Sequence, residues 1–289
     1  MSVSSVKTTA VIAAMTFGIF AVACDEPEAV DEDDEVAEQE AEEFEEPAVD
    51  EEFEEQADEG VELAVADFPL GEVTVVGTNT CHGCSVKGKH EAQAQCGDYG
   101  HNHSLKIEYA EDAEGQTLDE IVGHTVHYLE NDNAADLIEG EEFHGEQVQL
   151  TGRMMGPAAT LEVHDFEEPS EEMAEAAADA ADVDAEPIEV ALKGKNSCLG
   201  CDLSNAHEAE SDCAGYGCGH ALSVESATTA DGVELAELTG RIIHYLPNDT
   251  SAPLIEDEDF HGEDVEVEGR LFAESSTLEV ADFTGPGGE

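Results

Sequence analysis

Displaced by 117 residues, the chain matches itself without a gap. Cys81, Cys84, His90, Cys96, Tyr99, His103, His127, Tyr128, His144 and Arg153 fall on Cys198, Cys201, His207, Cys213, Tyr216, His220, His244, Tyr245, His261 and Arg270. The correspondence runs from about Glu72 to Phe166 and from about Glu189 to Phe283. A repeat of this length means one domain duplicated, with no loop lengthened between the copies. Residues 61–168 and 187–289 are therefore read as two copies of one domain. Residues 169–186, rich in Glu, Asp and Ala, are the linker, expected as a frayed helix or coil.

Each copy has a legible order of elements. Glu72–Val76 alternates as a strand that Gly77 is expected to end, and the Cys/His segment follows as a long loop. Ser104–Tyr109 and Gly123–Leu129 read as the second and third strands. Asn131–Phe143 reads as a short helix closed by Gly145, before strands at Gln147–Arg153 and Thr160–Phe166. Three strands, a helix and two strands is the order of the OB-fold. The expected fold is thus mainly β, as two tandem five-stranded OB-like barrels with a helix between strands 3 and 4. An open antiparallel sandwich is the alternative.

The charge removes one common use of such a barrel. Nine Lys+Arg stand against 72 Asp+Glu, a formal net charge of −63. A surface this anionic repels nucleic acid, and suits metal cations, a basic protein or a cationic surface.

The N-terminus points to export. Ala10–Ala23 is an uncharged apolar run ending in Ala21-Val22-Ala23-Cys24, too short to span a bilayer as a mature helix. It resembles the lipobox of bacterial lipoproteins, with Ala21 where Leu is usual. The resemblance implies a signal peptide over 1–23, an acylated (palmitate-type) Cys24 and a lipid anchor to the bacterial cell envelope, on its periplasmic face or outer surface. Residues 24–60 form an acidic tether. Between Asp25 and Glu59 there are 21 acidic residues and no Lys or Arg, so this segment is expected to be disordered.

The chemical signal is a Cys/His cluster in each copy. Copy one supplies Cys81, Cys84, His90, Cys96, His101 and His103; copy two supplies Cys198, Cys201, His207, Cys213, Cys218 and His220. A C-x2-C pair puts two thiolates on one turn, each able to reach one ion at about 2.3 Å. Disulfides stand beside this reading, because exported thiols oxidise and small domains are often stapled. Two facts favour metal. Copy one holds three Cys, an odd number, and His101 stands where copy two has Cys218. His and Cys exchange as metal ligands but not in a disulfide. Zinc is the favoured ion and copper the second. Neither copy has C-x-x-C-H, which argues against c-type haem. His127 and His244 in strand three, and His144 and His261 after the helix, are possible extra ligands. His82, His124 and His164 have no counterpart and are read as incidental.

Cys81 to Cys84, Tyr128-Leu129-Glu130-Asn131 and Phe143-His144 resemble segments of small exported bacterial proteins of unknown function. That resemblance implies an OB-like fold and metal binding, with no established activity. No nucleophile triad, phosphate loop or distinct acid pair stands out, so catalysis is not expected. The competing classes are a metal-binding module, a disulfide-stapled structural or adhesive domain acting through its acidic surface, and a redox or electron-transfer protein.

Overall fold

A computed structural model describes residues 63–101, 103–213 and 219–286. The signal peptide, Cys24 and the acidic tether, with Cys218, lie outside the described residues. Among the described residues no helix is long and apolar enough to cross a membrane.

The protein is mainly β, with two five-stranded mixed sheets. The first copy runs β1 (Leu70–Cys81), α1 (His82–His90), α2 (Cys96–Tyr99), β2 (His103–Asp112), β3 (Thr125–Tyr128), α3 (Ala135–Glu139), β4 (Gln147–Met155) and β5 (Thr160–Glu167). A linker helix, α4 (Glu171–Ala177), follows, its first turn capped by the Ser170 hydroxyl. The second copy repeats the order as β6 (Ile188–Cys198), α5 (Leu199–His207), β7 (His220–Thr229), β8 (Ile242–Tyr245), α6 (Ala252–Glu256), β9 (Asp264–Phe272) and β10 (Thr277–Thr284). The strand order is β1-β2-β3-β5-β4, and β1 pairs with both β2 and β4, so the sheet closes on itself. The β3–β5 pairing is parallel and the others antiparallel. The second sheet repeats this order.

The strands sit where the hydrophobic alternation places them, and three local features differ. The first strand does not stop at Gly77. It bulges between Val76 and Gly77 and continues to Cys81. A side chain at Gly77 would come within 2.1 Å of the Lys106 carbonyl oxygen, so glycine here permits close strand approach rather than a turn. The Cys/His segment is not one long loop, because α1 and α5 begin straight after Cys81 and Cys198. The helix expected over Asn131–Phe143 is shorter: α3 spans Ala135–Glu139, and a 3-10 turn covers Glu141–Phe143. Buried Asn79 ties α3 to the sheet, donating from Nδ2 to the Leu137 carbonyl at 3.0 Å and accepting from the Tyr128 hydroxyl at 3.0 Å. Asn196 does the same for α6, through the Leu254 carbonyl at 2.9 Å.

Each sheet encloses its own aliphatic core, with Leu105, Ile107, Leu150 and Leu161 central in the first and Leu192, Leu222, Val267 and Leu278 in the second. Two further apolar clusters belong to both copies. Val86, Ala92 and Ala94, from the Cys segment of copy one, pack on Leu246 and Phe272 of copy two. Reciprocally, Leu199, Leu203 and Ala209 pack on Leu129, Met155 and Ala158. The polar contacts obey the same exchange. Arg153 grips the buried Glu162 through Nε at 2.9 Å and Nη2 at 2.7 Å, while its Nη1 donates to the His207 carbonyl at 2.8 Å. The other Glu162 oxygen accepts from the Glu210 amide at 2.6 Å. Arg270 and Glu279 bind the His90 carbonyl (3.2 Å) and the Gln93 amide (2.6 Å) in the same way. Residue i of one copy meets j of the other, and j meets i. That is the isologous logic of a two-fold homodimer, here within one chain. Segment ends follow suit: Leu63 and Val65 pack against the core of copy two, and Arg241 of copy two donates to the Ala66 carbonyl at 2.7 Å.

Candidate metal centres

The first strand delivers Cys81 to the rim of the sheet, opposite His103 in register, and the chain turns at once into α1. Starting a helix at the first cysteine brings the second, three residues on, back beneath it. In copy two the Cys201 amide donates to Cys198 Sγ at 3.5 Å. Helix α1 ends at Glu91, whose left-handed backbone (φ 56) reverses the chain toward the third cysteine, Cys96. Glu208 holds the same conformation in copy two. A non-glycine residue there carries backbone strain of about 1–3 kcal/mol, held by the surrounding packing.

The result is a tight donor group. One ligand atom each of Cys81, Cys84, Cys96 and His101 lie within 4.8 Å of one another. Cys81 Sγ is 3.5 Å from Cys96 Sγ and 3.3 Å from His101 Nδ1. In copy two, Cys198, Cys201 and Cys213 group in the same way, with Cys213 Sγ at 3.4 Å from Cys198 Sγ and 3.7 Å from Cys201 Sγ. A disulfide bond is about 2.05 Å long. Around a tetrahedral ion bonded at about 2.3 Å, neighbouring sulfurs sit about 3.8 Å apart. The separations fall beside the second value. Both groups could hold a metal ion.

The environment of Cys81 suits a site that needs a cation. Burial pushes its thiol up to about 12, against the lowering effect of the Cys84 backbone amide. Burial likewise raises Cys96. A bare thiol this high stays protonated at neutral pH, and a bound metal would displace the proton. A glycine inside each C-x2-C admits the third sulfur. A side chain at Gly83 would come within 2.6 Å of Cys96 Sγ, and one at Gly200 within 2.8 Å of Cys213 Sγ. The pattern Cys-x-Gly-Cys was in the sequence, but nothing there says which atom the glycine makes room for.

The remaining histidines part company with the sulfurs. His90 and His207 fall at the ends of α1 and α5, and their carbonyls take the arginines of the opposite copy. His103 lies under the rim, its Nδ1 donating to the Leu137 carbonyl at 3.0 Å and its Nε2 3.1 Å from His144 Nδ1. His220 and His261 make the same pair at 3.0 Å, with His220 Nδ1 on the Ile255 carbonyl at 2.8 Å. Burial lowers both His103 and His220. His127 and His244 stack on each other across the copies, their ring centres 3.8 Å apart. His127 Nε2 donates to the Ser275 carbonyl at 3.0 Å, and His244 Nε2 to the Ala158 carbonyl at 2.8 Å. His82 packs edge-on against His127, and burial then the His244 charge bring it down to about 4. Burial holds His127 well below the usual imidazole range and brings His244 to about 4. His124 is also buried, with Nδ1 3.3 Å from the Glu274 carbonyl oxygen. His82 and His124 thus sit at the shared face, though nothing in the repeat marks them.

A cleft of about 1610 Å³ runs between the copies, bordered by His101, His103 and His144 on one side and by Cys213, His220 and His261 on the other. No protein-family model, no curated protein and no solved structure matches the chain. The class of protein is therefore defined by its fold and site: a duplicated, all-in-one pseudo-dimer of small closed sheets, each with a Cys/His group that could hold a metal ion.

Proposed function

We propose that the chain is an exported, lipid-anchored protein whose two Cys/His groups each bind one metal ion, zinc before copper, without catalysing a reaction. The observation that carries the reading is the convergence of Cys81, Cys84, Cys96 and His101 at metal-ligand spacing, repeated by Cys198, Cys201 and Cys213. Three thiolates and an imidazole suit zinc or Cu(I) over magnesium or calcium. In copy two the position matching His101 is Cys218, which would complete a four-thiolate set. We read each sheet as an OB-like barrel; the 1-2-3-5-4 strand order and the helix between third and fourth strands support that reading. The barrel rim presents the first cysteine, and the opposite copy covers the helix that follows it. The anchor would be Cys24, behind the apolar run, with the acidic segment as a tether. The −63 charge fits cationic partners and opposes nucleic acid.

Elemental analysis with thiol counting on the chain purified without chelator tests the metal reading. About two equivalents of zinc, with the thiols protected until a chelator is added, is the expected result. A metal-free protein with its thiols oxidised would replace it with the disulfide-stapled reading.

A further inference from the structure

The paired histidines outside the sulfur groups carry a separate assignment. His103 Nδ1 faces a carbonyl oxygen, which only accepts, so this nitrogen holds the ring proton. A neutral imidazole has one N–H, and His103 Nε2 is therefore a bare lone pair aimed at His144 Nδ1, 3.1 Å away. The second copy reaches the same arrangement with different spacing partners: His220 Nδ1 on the Ile255 carbonyl, and His220 Nε2 at 3.0 Å from His261 Nδ1. A backbone carbonyl fixing one ring nitrogen while the other faces outward is the usual orientation of a metal-bound imidazole. With metal–nitrogen bonds of about 2.0–2.1 Å, neighbouring ligand nitrogens stand about 2.9 Å apart in a square-planar site and about 3.3 Å in a tetrahedral one. The observed separations lie between. His103 and His220 are buried, whereas His144 and His261 are exposed at the edge of the cleft, where solvent or a carboxylate could complete the coordination.

We propose that His103 with His144, and His220 with His261, form a second kind of metal site in each copy, a two-imidazole site for a divalent transition ion of the Ni2+, Cu2+ or Zn2+ class. These sites share no ligand with the thiolate groups. The chain would then carry two chemically different metal positions per copy, one closed by sulfur and one open to the cleft.

Ni2+ is a suitable probe because it does not oxidise thiols. The full-length protein, pre-equilibrated with Cd2+ to fill the sulfur groups, is titrated with Ni2+. The titration is followed by calorimetry and by 15N–1H NMR of the imidazoles, with Cd–thiolate absorption read in parallel. About two equivalents of Ni2+ should bind, broadening the signals of His103, His144, His220 and His261. The double variant His144→Ala/His261→Ala should lose both equivalents and leave the Cd–thiolate absorption unchanged. Both replaced side chains are exposed, so the fold is expected to survive, and His144→Gln/His261→Gln checks this by keeping a hydrogen-bond donor. Loss of Ni2+ binding in the Gln variant supports the site. The assignment is overturned if Ni2+ broadens no imidazole, or if either double variant binds as the parent does. In those cases each pair is an ordinary imidazole–imidazole hydrogen bond, and any Ni2+ taken up sits on the acidic surface. Failure of Cd2+ to fill the thiolates would count against the sulfur sites alone, since the imidazole signals are read independently.

Discussion

Copy one presents His82 to the shared face, and copy two presents Leu199 at the matching position. Leu199 joins an apolar cluster with Leu129, Met155 and Ala158. His82 is only 5% exposed, and its Nε2 finds no hydrogen-bond partner. The cysteine sets differ as well, with His101 in the first copy and Cys218 at the equivalent place in the second. Sheet, helix and docking are shared; donor chemistry and interface polarity are not. Reciprocal contacts such as Arg153 to the His207 carbonyl and Arg270 to the His90 carbonyl hold the backbone the two copies share, while single side chains differ between them. The asymmetry lies at the Cys/His groups and at the face between the copies.

The largest expected effect comes from removing one copy's metal and not the other's. Cys81→Ser should lose about one metal equivalent and leave copy two loaded. At free metal a thousandfold above Kd, the bound ion adds about 4 kcal/mol to stability. Chemical denaturation with and without chelator should therefore show a gap in the parent protein that is roughly halved in Cys81→Ser. Equal losses from both copies would mean that the two sites do not bind independently.

Next is the room for the third sulfur. Gly83→Ala places a methyl where Cys96 Sγ sits, and Gly200→Ala does the same to Cys213. Each should weaken its own site by about 10–100-fold, the range seen when the support of a metal ligand is disturbed. Competition with a chromophoric chelator reads this, and an unchanged affinity would place the sulfurs elsewhere.

His82→Leu copies the second copy's interface into the first. Removing a buried, unpartnered nitrogen should stabilise the protein at pH 7 by about 1–2 kcal/mol. The gain should widen in acid. The folded pKa of His82, about 4, lies below its unfolded value near 6.5. As pH falls from 6.5 to 4, the unfolded chain takes up a proton that the folded chain refuses, so stability is lost across that window, by about 3 kcal/mol in all. The leucine variant lacks this loss. Glu130, pushed up to about 7 by burial and then Glu139, works in the opposite direction, gaining stability as pH falls from 7 to 4.5. It is present in both proteins and cancels in their difference. Parallel stability curves at pH 7 and 5 would remove His82 from the interface account.

The smallest effect is expected from His101→Cys, which gives copy one the donor set of copy two. Four thiolates should hold zinc or Cu(I) more tightly than three with an imidazole, by about tenfold or less. Stepwise release of two metals to a competing chelator in the parent should merge into one step in this variant. Two steps that persist would assign the difference to the interface rather than to the ligands.

Much of this molecule is legible in its sequence. The 117-residue self-match set the two units, the period-two alternation of Val73–Val75 and Val265–Val267 set strands, and C-x2-C marked the sulfur group. These signals are local, and strands and helices follow local periodicity. The continuation of β1 past Gly77 was illegible, because a glycine that permits strand approach looks the same as one that ends a strand. Nothing in the spacing separates His101 from His103 as a partner of the sulfurs. The two are two residues apart, and only the position of the Leu137 carbonyl turns His103 toward His144 instead.

The sequence alone determined the repeat, the succession of elements along each copy, the acidic character and the cysteine spacing, because each depends on neighbours along the chain. The tertiary structure decided how the copies face one another. It stacked His127 on its own repeat partner His244, buried His82 and His124, and sent Arg153 and Arg270 to each other's helix ends. Those contacts join residues 54 to 180 positions apart, so no local pattern encodes them. They follow from two like surfaces closing around an axis, where whatever one copy offers the other must accept.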